Sequence, residues 1–66
     1  MYFSENLTKL RKAKGWSQED LADKLDISRQ AVSKWEVGTS KPDIDNLMKL
    51  SKLFSKSIDE LVNDKI

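Results

Sequence analysis

Residues 18–37 read QEDLADKLDISRQAVSKWEV, two short amphipathic segments on either side of a tight turn. Two helices that cross at a steep angle need apolar side chains on both sides of such a turn and a small side chain at their closest approach. Ala22 is the small residue, and the apolar residues are Leu21, Leu25, Ile27, Val32 and Trp35. This spacing predicts a helix-turn-helix, with helices over residues 18–25 and 29–37.

Capping residues mark the starts of these two helices. Ser17 and Ser28 each precede a periodic run, where a serine hydroxyl accepts a hydrogen bond from a first-turn amide. Glu19 and Asp20 follow in the first turn, where the helix dipole favours negative charge. We expect a capping residue before every helix of the chain.

Three more helices are predicted outside this stretch. Phe3, Leu7 and Leu10 share one stripe and Gly15 suits a left-handed cap, which indicates a helix over about residues 4–14. Residues 38–42 then form a loop, and Asp43 caps a helix over about residues 44–54. Its apolar residues follow helical spacing and are Ile44, Leu47, Leu50, Leu53 and Phe54.

The last predicted helix covers about residues 58–63, after a cap at Ser57. Ile58, Leu61 and Val62 are expected to face inward, and the residues that follow are expected to fray. The chain is therefore expected to be all-α, a compact five-helix bundle that forms a single domain over residues 1–66.

Composition excludes several classes of function. The chain has no cysteine and no histidine, and we find neither a phosphate-cradling glycine loop nor a hydrolase elbow in it. We therefore predict that it is not an enzyme and needs no cofactor or metal. No apolar stretch approaches the about 20 residues of a membrane span, and no signal peptide is visible, so we expect a cytoplasmic protein.

The sequence as a whole resembles the phage repressor and Cro-like helix-turn-helix proteins, often called the XRE family. The resemblance rests on GWSQEDLADKLDISRQAVSKWEVG, on SKPDIDNLMKLSKLF after it, and on the closing SIDELV. It extends from Leu7 to Val62. It implies a lambda repressor-like DNA-binding domain whose helix over residues 29–37 enters the major groove while the helix over residues 18–25 crosses the DNA backbone.

The resemblance also implies roles for individual residues. The base-reading positions of the family match Arg29, Gln30, Ser33 and Lys34. Helical spacing independently puts the last three of these on the face opposite Val32 and Trp35. Arginine and lysine can donate to guanine, and glutamine can pair with adenine, so this face suits base reading. The alternative is an ordinary solvated helix face.

Phosphate contacts are expected on either side of that helix. Gln18 matches the phosphate anchor of the family, and a helix N-terminus offers donors to an anion. The expected phosphate-binding residues are Ser17, Gln18, Ser28, Thr39, Ser40 and Lys41.

Two matches to the family concern structure. Arg11 and Glu36 match a pair that bridges the first helix to the end of the third, so we expect a partly buried salt bridge. Asp26 stands where the family usually has glycine in the turn. Because aspartate tolerates the left-handed conformation better than most residues, we expect modest strain there and an unchanged fold.

The predicted function is a sequence-specific regulator of transcription, expected to be a repressor that binds double-stranded DNA. A homodimer on a palindromic operator is expected, with half-sites about one helical turn apart. Leu61, Val62 and Ile66 are the apolar residues considered for the dimer contact. The alternative is a protein-interaction module, such as an antitoxin-like partner that binds DNA secondarily.

Other residues allow a second interpretation. Trp16 and Trp35 could stack on single-stranded bases, but both continue an apolar stripe, which favours packing in the core. The carboxylate pairs Asp43 with Asp45 and Asp59 with Glu60 could suggest a metal or acid–base site, but first-turn positions favour capping. The early cations Lys9, Lys12 and Lys14 could bind DNA or only solubilise the first helix.

Overall fold

The computed structural model describes residues 2–66, which form five helices and no strand. The helices are α1 Phe3–Ala13, α2 Gln18–Leu25, α3 Arg29–Val37, α4 Ile44–Phe54 and α5 Ile58–Asn63. The last four occupy the predicted ranges, and α1 begins and ends one residue earlier than expected. Within the described residues, no helix has the length and apolar character needed to cross a membrane.

Side-chain caps start four of the five helices. Ser17 and Asp20 form a reciprocal capping box at α2, as Ser57 and Glu60 do at α5. At α3 the hydroxyl of Ser28 accepts from the amide of Ala31, and at α4 the carboxylate of Asp43 accepts from the amide of Asn46. These contacts satisfy amides that have no partner inside the helix.

The expectation of a side-chain cap is wrong for α1. Its N-cap residue is Tyr2, which makes no side-chain capping hydrogen bond. The amide of Tyr2 instead donates to the carbonyl of Val62 at 2.9 Å, so the start of α1 is held by the end of α5. A contact between residues this far apart in the chain has no local sequence signal.

The turn between α2 and α3 is built around Asp26, which has φ 57° and ψ 48°. After it, the amide of Ile27 donates to the carbonyl of Ala22 at 3.0 Å, which closes the end of α2 in the manner of a left-handed helix cap. The aspartate therefore adopts the conformation that glycine usually supplies, and the fold is kept.

The core lies where all five helices meet. Leu7, Leu21, Val32, Leu50 and Leu61 are each 0% exposed, and they come from α1, α2, α3, α4 and α5 in turn. Domains of this size bury only about 60% of the surface of the unfolded chain, so this small set of residues holds the helices together.

Leu61 faces inward as expected, whereas Ile44 follows the helical spacing of the core residues but lies on the surface. Ile44 lies on the outer face of α4 and is 60% exposed, because the core side of that helix is formed by Leu50 and Phe54. Leu61, considered for a dimer contact, is completely buried and cannot reach a partner.

Residues after α5, which are expected to fray, make hydrogen bonds to α1. Asn6 of α1 is 1% exposed, and its Nδ2 donates to the carbonyls of Leu61 at 2.9 Å and Asp64 at 2.6 Å. Its Oδ1 accepts from the amide of Ile66 at 3.1 Å. One buried amide side chain therefore binds the carbonyls of Leu61 and Asp64 and the amide of Ile66.

Candidate nucleic-acid interface

The outer face of α3 brings together the four residues predicted to read bases. Arg29, Gln30, Ser33 and Lys34 line one shallow surface depression of about 350 Å³. Ser33 is half-buried and the other three are exposed. On the opposite side of the helix, Val32 and Trp35 are buried in the core, which holds this polar face outward.

The residues predicted to bind phosphate lie in three places along the chain. Ser17, Gln18 and Ser28 are at the starts of α2 and α3, and Thr39, Ser40 and Lys41 are in the loop after α3. Ser40 and Lys41 line a small recess of about 110 Å³ together with Phe3, Ser4 and Gly38. Thr39 is turned back to α3, where its hydroxyl donates to the carbonyl of Lys34 at 3.4 Å.

Several donors at the starts of the helices are already used within the protein. The backbone amide of Ser17 donates to the carboxylate of Asp20 at 2.9 Å. The side-chain Nε2 of Gln18 donates to Glu36 Oε1 at 3.2 Å. Gln18 is half-buried as a result. Its side chain ties the start of α2 to the end of α3, an arrangement that residue type and spacing did not reveal.

Arg11 and Glu36 form the ion pair expected from the resemblance. Arg11 donates from Nε to Oε2 at 2.7 Å and from Nη2 to Oε1 at 3.0 Å, and both side chains are about nine-tenths buried, with 11% and 7% exposed. Arg11 Nη1 also donates to the carbonyl of Trp16 at 2.8 Å. A buried bidentate pair with further hydrogen bonds fixes the angle between α1 and α3.

The ion pair shifts both pKa values. The hydrogen bond to Glu36 raises the pKa of Arg11 further above its ordinary value, against the opposing effect of burial. Burial raises the pKa of Glu36, but hydrogen bonds from Arg11 and Gln18, with the positive charge of Arg11, outweigh it and hold the pKa below the ordinary value. Both groups are therefore charged at neutral pH.

An acidic residue of the first turn of α2 lies beside the predicted base-reading face. Glu19 Oε2 of α2 is 3.8 Å from Arg29 Nε of α3, and the side chains are 65% and 54% exposed. Because ten positions and a turn separate the two residues, only the packed structure brings them together.

The aromatic residues contribute to packing. Trp35 is 5% exposed within the core. Trp16 is half-buried, its ring lies 5.8 Å from that of Phe54, and Lys24 Nζ lies 4.6 Å from its centroid. Both tryptophans therefore have partners inside the domain, as the interpretation as core residues predicts.

The carboxylate pairs contribute to helix starts. Asp43 is the N-cap of α4, and Glu60 belongs to the capping box of α5. Hydrogen bonds from the backbone and the side chain of Ser57 hold the pKa of Glu60 below its ordinary value, and Ser17 has the same effect on Asp20. Among residues 2–66, no three or more acidic, histidine or cysteine residues are grouped so as to hold a metal ion.

Comparison with known proteins agrees with this geometry. The helix-turn-helix family matches residues 7–61. The HTH-type transcriptional activator BcrR of Enterococcus faecalis is 48% identical over 63 residues, which are 96% of this chain and 31% of that protein. The cryptic phage CTXphi transcriptional repressor RstR of Vibrio cholerae is 38% identical over 61 residues, 92% of this chain and 54% of that protein.

A solved structure supports the same assignment. The crystal structure of a transcriptional regulator from Listeria innocua superposes with a TM-score of 0.87 at 40% identity, and the match covers 91% of this chain and 56% of that one. The chain thus spans about half the length or less of these relatives. The predicted fold and the predicted family are confirmed. This chain belongs to the helix-turn-helix family, in the group of phage repressor-like regulators.

Proposed function

We propose that this domain binds double-stranded DNA sequence-specifically through α3 and represses transcription by occupying a promoter. The observation that carries the proposal is the polar face of α3, on which four side chains able to contact base edges share one open depression. An α-helix fits the major groove, where each base pair presents a distinct pattern of donors, acceptors and methyl groups.

Each side chain of this face has a chemical counterpart in DNA. Arg29 and Lys34 can donate to O6 and N7 of guanine, and Gln30 can pair with N6 and N7 of adenine. Ser17, Gln18 and Ser28 at the starts of α2 and α3, with the loop over residues 39–41 after α3, would set the register on the backbone.

We also propose that the protein binds a palindromic operator as a homodimer, whose second copy docks on the outer face of α4. Ile44 and Met48 are one turn apart on this face, and they are 60% and 49% exposed. Asp45 lies near the start of the same face and Lys52 near its end, and both are exposed. If two α4 helices pair antiparallel, Asp45 of each copy lies beside Lys52 of the other, so the face complements itself.

The proposed function is tested by selecting the purified protein against a random duplex library and titrating the enriched sequence at two salt concentrations. We expect enrichment of a palindrome with half-sites about ten base pairs apart, and binding that weakens steeply as salt rises. An operator of this kind in the chromosome would place the protein at the nucleoid. No enrichment, with binding to a protein partner instead, would contradict the proposal and favour the antitoxin-like alternative.

A further inference from the structure

The ion pair between Glu19 and Arg29 crosses from α2 to α3 on the side that carries the base-reading face. Arg29 belongs to that face, and Glu19 directly follows Gln18, the expected phosphate anchor. At 3.8 Å, with both side chains more than half exposed, the contact is an ion pair and not a hydrogen bond. Exposed pairs of this kind contribute little to folding stability, so the pairing with Arg29 adds little to what Glu19 already contributes as a first-turn acid of α2.

We infer that Glu19 is a positioning residue that directs Arg29 toward a base edge and away from the phosphates, and so determines sequence specificity. The inference rests on the proposed function. It assigns to an acidic residue, which on its own would repel DNA, a role in discriminating between DNA sequences.

The carboxylate of Glu19 is expected to have one unfavourable and one favourable effect on DNA binding. A negative charge at the start of α2 lies where the DNA backbone is expected to pass, and it opposes binding to every sequence equally. An arginine at the start of α3 is long and flexible, and without a partner it reaches phosphate as readily as a base. Pairing the two offsets part of the repulsion and reduces the freedom of Arg29.

The geometry of the pair leaves the base-reading atoms available. The atom of Arg29 nearest to Glu19 is Nε, whereas a bidentate contact with guanine O6 and N7 can use the two terminal nitrogens. One guanidinium can therefore contact the carboxylate along one edge and guanine along another.

Glu19 differs from two other acidic residues, Glu36 and Asp23, in its exposure and in its partner. Glu36 is the other acid paired with an arginine, but it is buried and its oxygens accept from Arg11 and Gln18. Asp23 is an exposed acid on α2, but it lines a different depression, beside Trp16 and Lys24. Asp23→Asn is therefore a matched control that removes the same charge from the same helix.

The test compares the wild type with the variants Glu19→Gln, Asp23→Asn, Arg29→Ala and the double variant Glu19→Gln/Arg29→Ala. Each is titrated against the duplex enriched by the wild type, the set of its single base-pair changes, and random duplex. Urea unfolding of each variant verifies that it folds.

We expect Arg29→Ala to identify one base pair in each half-site at which discrimination is lost. Glu19→Gln should reduce discrimination at that base pair about three- to tenfold, while binding to random duplex becomes tighter and more salt-dependent. In the Arg29→Ala background, Glu19→Gln should cause no further loss of discrimination. Asp23→Asn should keep wild-type discrimination at every position.

Other results would overturn the inference alone. One such result is that Glu19→Gln keeps wild-type discrimination. Another is that the loss of discrimination in Glu19→Gln is spread over the whole site, or is equally large in the Arg29→Ala background. If the wild type binds no duplex at all, the proposed function and this inference fail together, so the two failures are distinguishable.

Discussion

Individual residues around α3 fall into two groups by the contact that each is expected to make. Gln30 lies on the base-reading face, whereas Lys41 lies in the loop beyond the end of the helix. A base contact distinguishes sequences, and a phosphate contact does not. Substitutions at the two positions should therefore affect sequence preference differently.

Gln30→Ala is expected to weaken binding to the preferred duplex by roughly 1–3 kcal/mol and to relax preference at one base pair. Lys41→Ala should weaken all sequences alike and reduce the salt dependence by about one phosphate contact. Titration of preferred and random duplexes measures both effects. Lys65→Ala, which removes an exposed cation after α5, is the control and should bind as the wild type does. A sequence-independent loss in Gln30→Ala would contradict its assignment.

Asp26 holds a left-handed conformation, with φ 57°, that a residue with a Cβ atom adopts at some cost. Asp26→Gly should therefore raise the free energy of unfolding by about 0.5–1 kcal/mol, since glycine adopts this conformation without steric cost. Asp26→Ala should lower it, because alanine lacks the short polar side chain that aspartate uses to tolerate the region. Urea unfolding of the wild type and the two variants measures the order of their free energies of unfolding. An unchanged or lowered free energy of unfolding in Asp26→Gly would contradict backbone strain at residue 26.

At the scale of the helices, α1 and α3 are joined by the buried pair of Arg11 and Glu36. Arg11→Ala leaves the carboxylate buried without its main partner and should cost roughly 3–5 kcal/mol. The double variant Arg11→Ala/Glu36→Ala should lose much less than the sum of the single losses, because no uncompensated charge remains. A double-mutant cycle by urea unfolding measures this coupling. Strictly additive losses would show that the two helices are held by other contacts.

The same pair makes stability depend on pH. Because the pKa of Glu36 is lower in the folded protein than its ordinary value of 4.5, its contribution is complete above that value. The contribution is lost as pH falls through the lowered pKa of the folded state. Unfolding measured from pH 7 to pH 3 should therefore show a smaller loss for Glu36→Gln than for the wild type. Asp20 and Glu60 also have lowered pKa values, but they act equally in both proteins and cancel in the difference.

At the scale of the whole molecule, the outer face of α4 decides whether the proposed dimer forms. Ile44→Ser should weaken dimerisation by more than about tenfold, because each copy loses an apolar side chain from the contact. Tyr2→Ser, at an exposed aromatic residue outside α4, is the control and should leave dimerisation unchanged. Sedimentation equilibrium measures the dissociation constant.

Charge reversal tests the antiparallel arrangement of the two α4 helices. Asp45→Lys and Lys52→Asp should each weaken the dimer, whereas the combination should restore it, since opposite charges again face each other across the two-fold axis. A monomeric wild type, or a dimer insensitive to all of these changes, would exclude α4 as the contact.

Sequence by itself determined the helices, the turn and most of the core. Capping serines and Asp43 act on amides within three residues, and the apolar stripe of each helix repeats within one or two turns, so both signals are local. The polar face of α3 follows from the same periodicity, since the burial of Val32 and Trp35 leaves the other side outward.

Only the tertiary structure decided which polar and apolar residues find partners across the molecule. Asn6 closes the end of α5, Gln18 donates to Glu36, and Glu19 lies beside Arg29, all through contacts between helices that are distant in the chain. Ile44 fits a core pattern but is exposed, because the packing of α4 selects one side of that helix. Periodicity shows that a helix has an apolar side, but the neighbouring helices determine which of its residues are covered.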